Sequence, residues 1–113
     1  MLAVSPRAMG LTPRSFEVAI EERPAETVVK AFGEIDLASA PRLTEILHRV
    51  ARYDAPVRLD LAGIEFIDSS GLHAMQTASR SAERLGRSLT FEPLSAAVTR
   101  TVALAGFEPA RAL

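Results

Sequence analysis

Cysteine and tryptophan are both absent from this 113-residue chain. Without cysteine there can be no disulfide and no thiolate metal site, and that absence leaves the compartment open. Aromatic residues make up 5% of the chain, and lysine occurs once, as Lys30, the other basic side chains being arginine. Neither sign of charge dominates. The net charge of −1 creates no global field that would draw in nucleic acid or an anionic membrane. No apolar run approaches the roughly 20 residues needed to cross a bilayer. Residues Met1 to Gly10 include apolar side chains, but Pro6 and Arg7 interrupt them, which makes a poor signal peptide. The expected location is the cytoplasm. What remains is 48% hydrophobic and 24% charged, the balance of a soluble globular protein, with length for one domain and a modest core. There is no internal repeat and no low-complexity tract.

Residues 1–14 carry Pro6, Gly10 and Pro13 with no sustained period, and are expected to form a flexible extension ahead of a domain spanning 15–113. Phe16, Val18 and Ile20 alternate with Glu17, Ala19 and Glu21, the pattern of a half-buried strand. A turn at Glu22 to Ala25 leads into a second strand, Thr27 to Phe32, so the pair predicts a hairpin or close neighbours. Glu34 to Ala38 is expected to be a loop. Ser39 is placed to cap a helix, with Pro41 in its first turn, where the missing N–H is harmless. That helix should run to about Tyr53, with Leu43, Ile46, Leu47 and Val50 on one face. Val57 to Ile67 is apolar enough for a strand deep in a sheet. Leu72 to Leu85 predicts a helix with a buried stripe of Leu72, Met75, Ala78, Ala82 and Leu85, closed by Gly86. A short strand at Ser88 to Glu92 follows, then a helix capped by Ser95 and ended by Gly106; Phe107 to Leu113 is assigned at most an edge segment. The order is β-β-α-β-α-β-α. Alternating strands and helices mean crossover connections, hence an α/β chain with a parallel or mixed sheet and its helices mainly on one face.

One stretch carries more chemistry than the rest. Ile64-Glu65-Phe66-Ile67-Asp68-Ser69-Ser70-Gly71-Leu72 joins a strand to a helix through a short polar turn. Helix starts expose free backbone N–H groups and the positive end of the dipole, which favour an anion. Ser69 can act there as a cap or turn hydroxyl, or it can carry a phosphate. Ser70 is the better N-cap of the two serines. Gly71 serves a tight turn, a close backbone approach by a partner, or both. Asp36 and Asp68 read equally as solvated loop carboxylates or as neighbours of a functional hydroxyl. A metal site would need a third ligand at suitable spacing, which the sequence does not offer, so no metal or cofactor is expected. Ser69 as an enzymatic nucleophile lacks the G-x-S-x-G elbow, and neither histidine has an evident orienting partner, so no enzyme is expected.

Asp68-Ser69-Ser70-Gly71-Leu72, preceded by Gly33-Glu34-Ile35-Asp36 and Ser39-Ala40-Pro41-Arg42-Leu43, resembles the STAS family, and in particular its small bacterial anti-sigma factor antagonists. The likeness runs from about Ser15 to about Phe107. It implies a two-layer STAS-like fold, a mixed central sheet of four to five strands with three to four helices. It also implies that Ser69 is the phosphoacceptor for a partner kinase, with Asp36 and Asp68 beside it. Ser70, Gly71, Leu72, His73 and Gln76 would complete the partner-binding surface. The implied partners are an anti-sigma factor with serine kinase activity, bound when Ser69 is unmodified, and a phosphatase that resets it, with no direct nucleic acid and no membrane. His73 departs from the family pattern, which often has a small residue there. It is an exposed helix residue or one that alters partner choice, and a cationic imidazole beside phosphorylated Ser69 would blunt the switch. The competing reading is a STAS scaffold or sensor module that works by protein or small-ligand binding, with Ser69 never modified.

Overall fold

The computed structural model describes residues 16–107, so the expected extension at 1–14 and all beyond Phe107 lie outside the described residues. Within them the elements are β1 (Phe16–Glu22), β2 (Thr27–Ile35), α1 (Ala40–Val50), β3 (Val57–Ile67), α2 (Ser69–Arg84), β4 (Leu89–Leu94) and α3 (Ala96–Ala105). This is the order read from the sequence. Four strands form one sheet in the order β1-β2-β3-β4. β1 and β2 are the expected antiparallel hairpin, whereas β2–β3 and β3–β4 are parallel, so the sheet is mixed.

Alternation decides which face is buried. Val29, Ala31 and Ile35 of β2, Val57, Leu59 and Leu61 of β3, and Leu89 and Phe91 of β4 all enter one hydrophobic cluster. Leu43, Leu47 and Val50 of α1, Leu72, Met75 and Ala82 of α2, and Val98 and Val102 of α3 enter the same cluster. The crossovers β2-α1-β3 and β3-α2-β4 step in the same direction along the sheet. With the usual right-handed connection, both helices then lie on the same side. The result is two layers. The opposite face is mixed: it carries the buried Val28 and the part-exposed Phe32, and charged pairs cross-link it. Lys30 Nζ lies 3.0 Å from Glu21, and Arg58 reaches Glu26 at 3.0 Å and donates to the Glu92 carbonyl at 3.2 Å. Pairs that remain partly open to solvent, as these do, stabilise little, but they favour one strand register over its neighbours.

Both helix-closing glycines act as the sequence suggests. Gly86 and Gly106 have φ of +66° and +74°, a left-handed conformation that L side chains rarely adopt. After α2 the Arg87 N–H returns to the Ala82 carbonyl at 2.8 Å, and after α3 the Phe107 N–H returns to Val102 at 3.1 Å. These are Schellman closures. The second one places Phe107 edge-on against Phe91, with ring centroids 6.3 Å apart.

Several boundaries differ from expectation for identifiable reasons. β2 continues through Ile35, because Glu34 and Ile35 still pair with Phe66 and Ile67 after irregularities in the β2–β3 register. α1 ends at Val50, and the chain to Tyr53 is held by single turns. Ser39 precedes α1 but its side chain does not cap it, being turned back towards β2. α2 starts three residues before Leu72. Leu85, expected in the buried stripe, is 62% exposed, because it follows the last helical residue, where the chain turns away.

Candidate functional site

Two parallel strands deliver the site. Ile35 and Ile67 are register partners at the ends of β2 and β3, so Asp36 and Asp68 leave the sheet side by side. The Asp68 N–H extends the pairing by donating to the Ile35 carbonyl at 3.1 Å. Each aspartate then folds back on its own chain to start the next helix.

The Asp36 carboxylate accepts from the N–H groups of Ala38 and Ser39, both at 3.0 Å. The Ser39 hydroxyl accepts from the Asp36 N–H at 2.9 Å and lies 2.8 Å from the Glu34 carbonyl. The Ser39 N–H bond is the main reason the Asp36 carboxyl is held below its ordinary value of 3.8. Asp36 is therefore the carboxylate that shapes the loop between β2 and α1.

Asp68 caps α2. Its carboxylate accepts from the N–H of Ser70 at 2.8 Å and of Gly71 at 3.2 Å. This corrects the assignment of the cap to Ser70. A strand-like Asp68 with φ −109° and ψ −170° aims its side chain back over the first turn, which puts both serines inside the helix. Ser70 is half-buried, and Ser69 is exposed at the first helical position. Among the described residues, none hydrogen-bonds to the Ser69 hydroxyl.

Gly71 faces inward rather than outward. A Cβ there would lie 2.6 Å from Ile67 Cγ1 and 2.8 Å from Ile35 Cγ2, so the missing side chain lets α2 sit down on the ends of β2 and β3. Leu72 is 8% exposed and belongs to the core, which removes it from the surface proposed for partner contact. Its place one step past the glycine, on the sheet side of the helix, is the cause. His73 is exposed one turn beyond Ser69, and Gln76 is half-buried.

Ser69, Ser70 and His73 line an open groove whose other wall is formed by Leu37, Pro41 and Thr44. The groove does not include Gln76. Sequence reasoning missed the opposing wall. Its one available signal was Leu37, an apolar side chain in an otherwise polar loop, and the structure leaves it 78% exposed. An exposed leucine, an unengaged hydroxyl and an imidazole thus share one groove. Among the described residues, no three His, Asp or Glu side chains converge as a metal site would require. Among the described residues, no helix is long and apolar enough to cross a membrane.

Comparison with known proteins gives concordant results. The family model described as "Mlab, STAS domain" matches residues 18–110. The anti-sigma-B factor antagonist of Bacillus subtilis is 30% identical over 94 residues, covering 83% of this chain and 86% of that protein. The anti-sigma-F factor antagonist RsfB of Mycobacterium tuberculosis is 35% identical over 81 residues, 70% of this chain and 63% of that protein, so the match leaves over a third of that relative unspanned. The crystal structure of an anti-sigma factor antagonist from Mycobacterium paratuberculosis superposes with a TM-score of 0.72 at 29% identity, covering 83% of this chain and 80% of that one.

Proposed function

This chain belongs to the STAS domain family, and from that premise we propose that it is an anti-sigma factor antagonist switched off by phosphorylation of Ser69. In its unmodified form it binds an anti-sigma factor through the groove beside Ser69, and a sigma factor is thereby freed. The anti-sigma factor is itself a serine kinase that phosphorylates Ser69 and so dissociates, and a phosphatase restores the hydroxyl. The protein acts as a regulator and not as a catalyst.

One observation carries this reading: Asp68, not Ser69, satisfies the first N–H groups of α2, which leaves the Ser69 hydroxyl exposed and without structural duty. A phosphate added there removes no bond that the fold uses. It brings a charge of about −1.5 to −2 at neutral pH. The positive end of the helix dipole favours the anion by roughly 0.3–1 kcal/mol. The local surface already carries the Asp36 and Asp68 carboxylates, so a partner seated on this groove meets repulsion and a desolvation cost. The partner is expelled while the core is untouched.

The test has two arms. Incubation with ATP and the cognate anti-sigma kinase should add one phosphate that is lost in Ser69→Ala. Ser69→Ala should hold the anti-sigma factor constitutively, and Ser69→Asp should bind at least tenfold more weakly with an unchanged melting curve. An unfolded Ser69→Asp, or one that binds like the unmodified protein, would show that the charge does not act as described. Absence of phosphate with every anti-sigma kinase paired to it would leave the chain a STAS module that works by binding alone.

A further inference from the structure

A second cavity lies away from Ser69, between the C-terminal halves of α1 and α2. It is a cleft of about 70 Å³, with Leu47, Ala82 and Leu89 of the core among its lining residues. Ala78 and Ser81 on α2 are too small to close it. Interior surface without partner atoms forfeits dispersion contacts, so an apolar group of the right size gains them on entry. The mouth is different in kind. His48 and Arg87 stand there, together with Leu85, whose side chain is 62% exposed. The ion pair of Arg87 is made to Asp54 at 3.6 Å, and the Asp54 side chain is fully exposed. Water screens such a contact heavily, so the guanidinium can be taken over by a better-placed carboxylate through paired N–H donors.

We propose that this cleft binds a small carboxylate with a compact apolar body, an aromatic or short branched acid whose body enters the cleft while its charge rests on Arg87. The two halves of the site select the ligand together. The apolar lining rejects an ionised group, and a cationic rim holds one at the surface. The size sets the body: the space is below the roughly 150 Å³ of an engineered cavity that takes up benzene whole. One ring entering part-way is therefore the largest fit. The site does not rest on the reading of Ser69. Thr44 and Thr77 nevertheless line both the cleft and the Ser69 groove, so the two adjoin along the α1–α2 seam.

Benzoate is the probe, and benzyl alcohol is its neutral counterpart. Titration of the 15N-labelled full chain should give saturable shifts at the amides of Leu47, Ala78, Ala82 and Leu85. Arg87→Gln should weaken benzoate at least fivefold and leave benzyl alcohol unchanged. Ala78→Leu should abolish both by filling the cleft; if that variant fails to fold, Ser81→Leu makes the same test. Shifts that never saturate, that centre on Ser69 to Gly71, or that survive a filled cleft overturn the proposal. An unchanged benzoate affinity in Arg87→Gln overturns it as well.

Discussion

Replacing Gly71 with alanine adds one methyl group at the most confined point of the α2 start. By helix propensity alone the change should stabilise, since alanine is preferred over glycine by about 1 kcal/mol in a helix. The geometry opposes it. The new Cβ would stand 2.6 Å from Ile67 Cγ1, 2.8 Å from Ile35 Cγ2 and 3.0 Å from Ile67 Cδ1. Comfortable carbon contacts lie near 3.5–4.0 Å, so α2 or both isoleucines must shift. Neither isoleucine has room to yield, with Ile35 at 0% and Ile67 at 4% exposure. Overpacking of this kind costs roughly 1–3 kcal/mol. Set against the propensity gain, Gly71→Ala should show a net loss of up to about 2 kcal/mol in urea denaturation, with an unchanged m-value. A double-mutant cycle isolates the cause. Ile67→Ala alone should cost about 2–5 kcal/mol through its cavity. In that background both Ile67 contacts are gone and only the one to Ile35 Cγ2 at 2.8 Å remains, so Gly71→Ala should cost less than it does in the parent, a coupling of about 1 kcal/mol. A Gly71→Ala protein stabilised by the full propensity gain of about 1 kcal/mol, or strictly additive effects in the double variant, would refute the close approach as the reason for glycine.

The two side-chain caps differ in the number of bonds they make, and their removal should follow that difference. Ser95 accepts one N–H, from Val98 at 3.2 Å, so Ser95→Ala should cost about 1 kcal/mol. Asp68 accepts two N–H groups and is charged, so Asp68→Ala should cost nearer 2 kcal/mol by the same denaturation assay. A smaller loss than for Ser95→Ala would contradict the capping assignment. Asp36 predicts a pH effect. Its carboxyl lies below 3.8 in the folded state because Ser39 N–H stabilises the ionised form. The contribution is therefore complete above that value and is lost as pH falls through the lower folded one. Asp36→Asn keeps an acceptor oxygen but cannot titrate, so the stability gap between it and the parent should narrow as the pH drops from about 5 to about 2. A constant gap would mean that the carboxylate is not preferentially stabilised by the fold.

The order of elements was legible because each strand and helix carries its own period, and because glycine and proline mark the ends. Gly86 and Gly106 identified two helix closures correctly since a left-handed residue is a local requirement, and local requirements leave local signatures. The start of α2 was not legible in the same way. Asp68, Ser69 and Ser70 are all good caps in isolation, and Ser-Ser-Gly is a poor helix former, so residue preference places the helix start too late. What decides the matter is the pairing of Asp68 N–H with the Ile35 carbonyl, which holds residue 68 extended just past the end of β3. That bond joins residues 33 apart in the chain, and no local pattern can report it.

The same dependence on long-range pairing explains which residues of the candidate site were named from sequence. Ser69, Asp36 and Asp68 were identified from sequence because the motifs carrying the family resemblance include them. The groove wall of Leu37, Pro41 and Thr44 was missed because it forms only when α1 and α2 lie side by side on one face of the sheet. Gly71 was read as serving a tight turn, a close approach by a partner, or both, and its confinement against Ile35 and Ile67 adds a use that the sequence did not report, the docking of α2 on the sheet. These facts fit together. The glycine seats the helix, Asp68 saturates its first amides, and Ser69, excluded from both tasks, projects into the groove. A serine that capped the helix could not be modified without loosening the helix start. Here the cap and the hydroxyl are adjacent but separate residues, and that separation is the structural condition for altering surface charge without altering the fold.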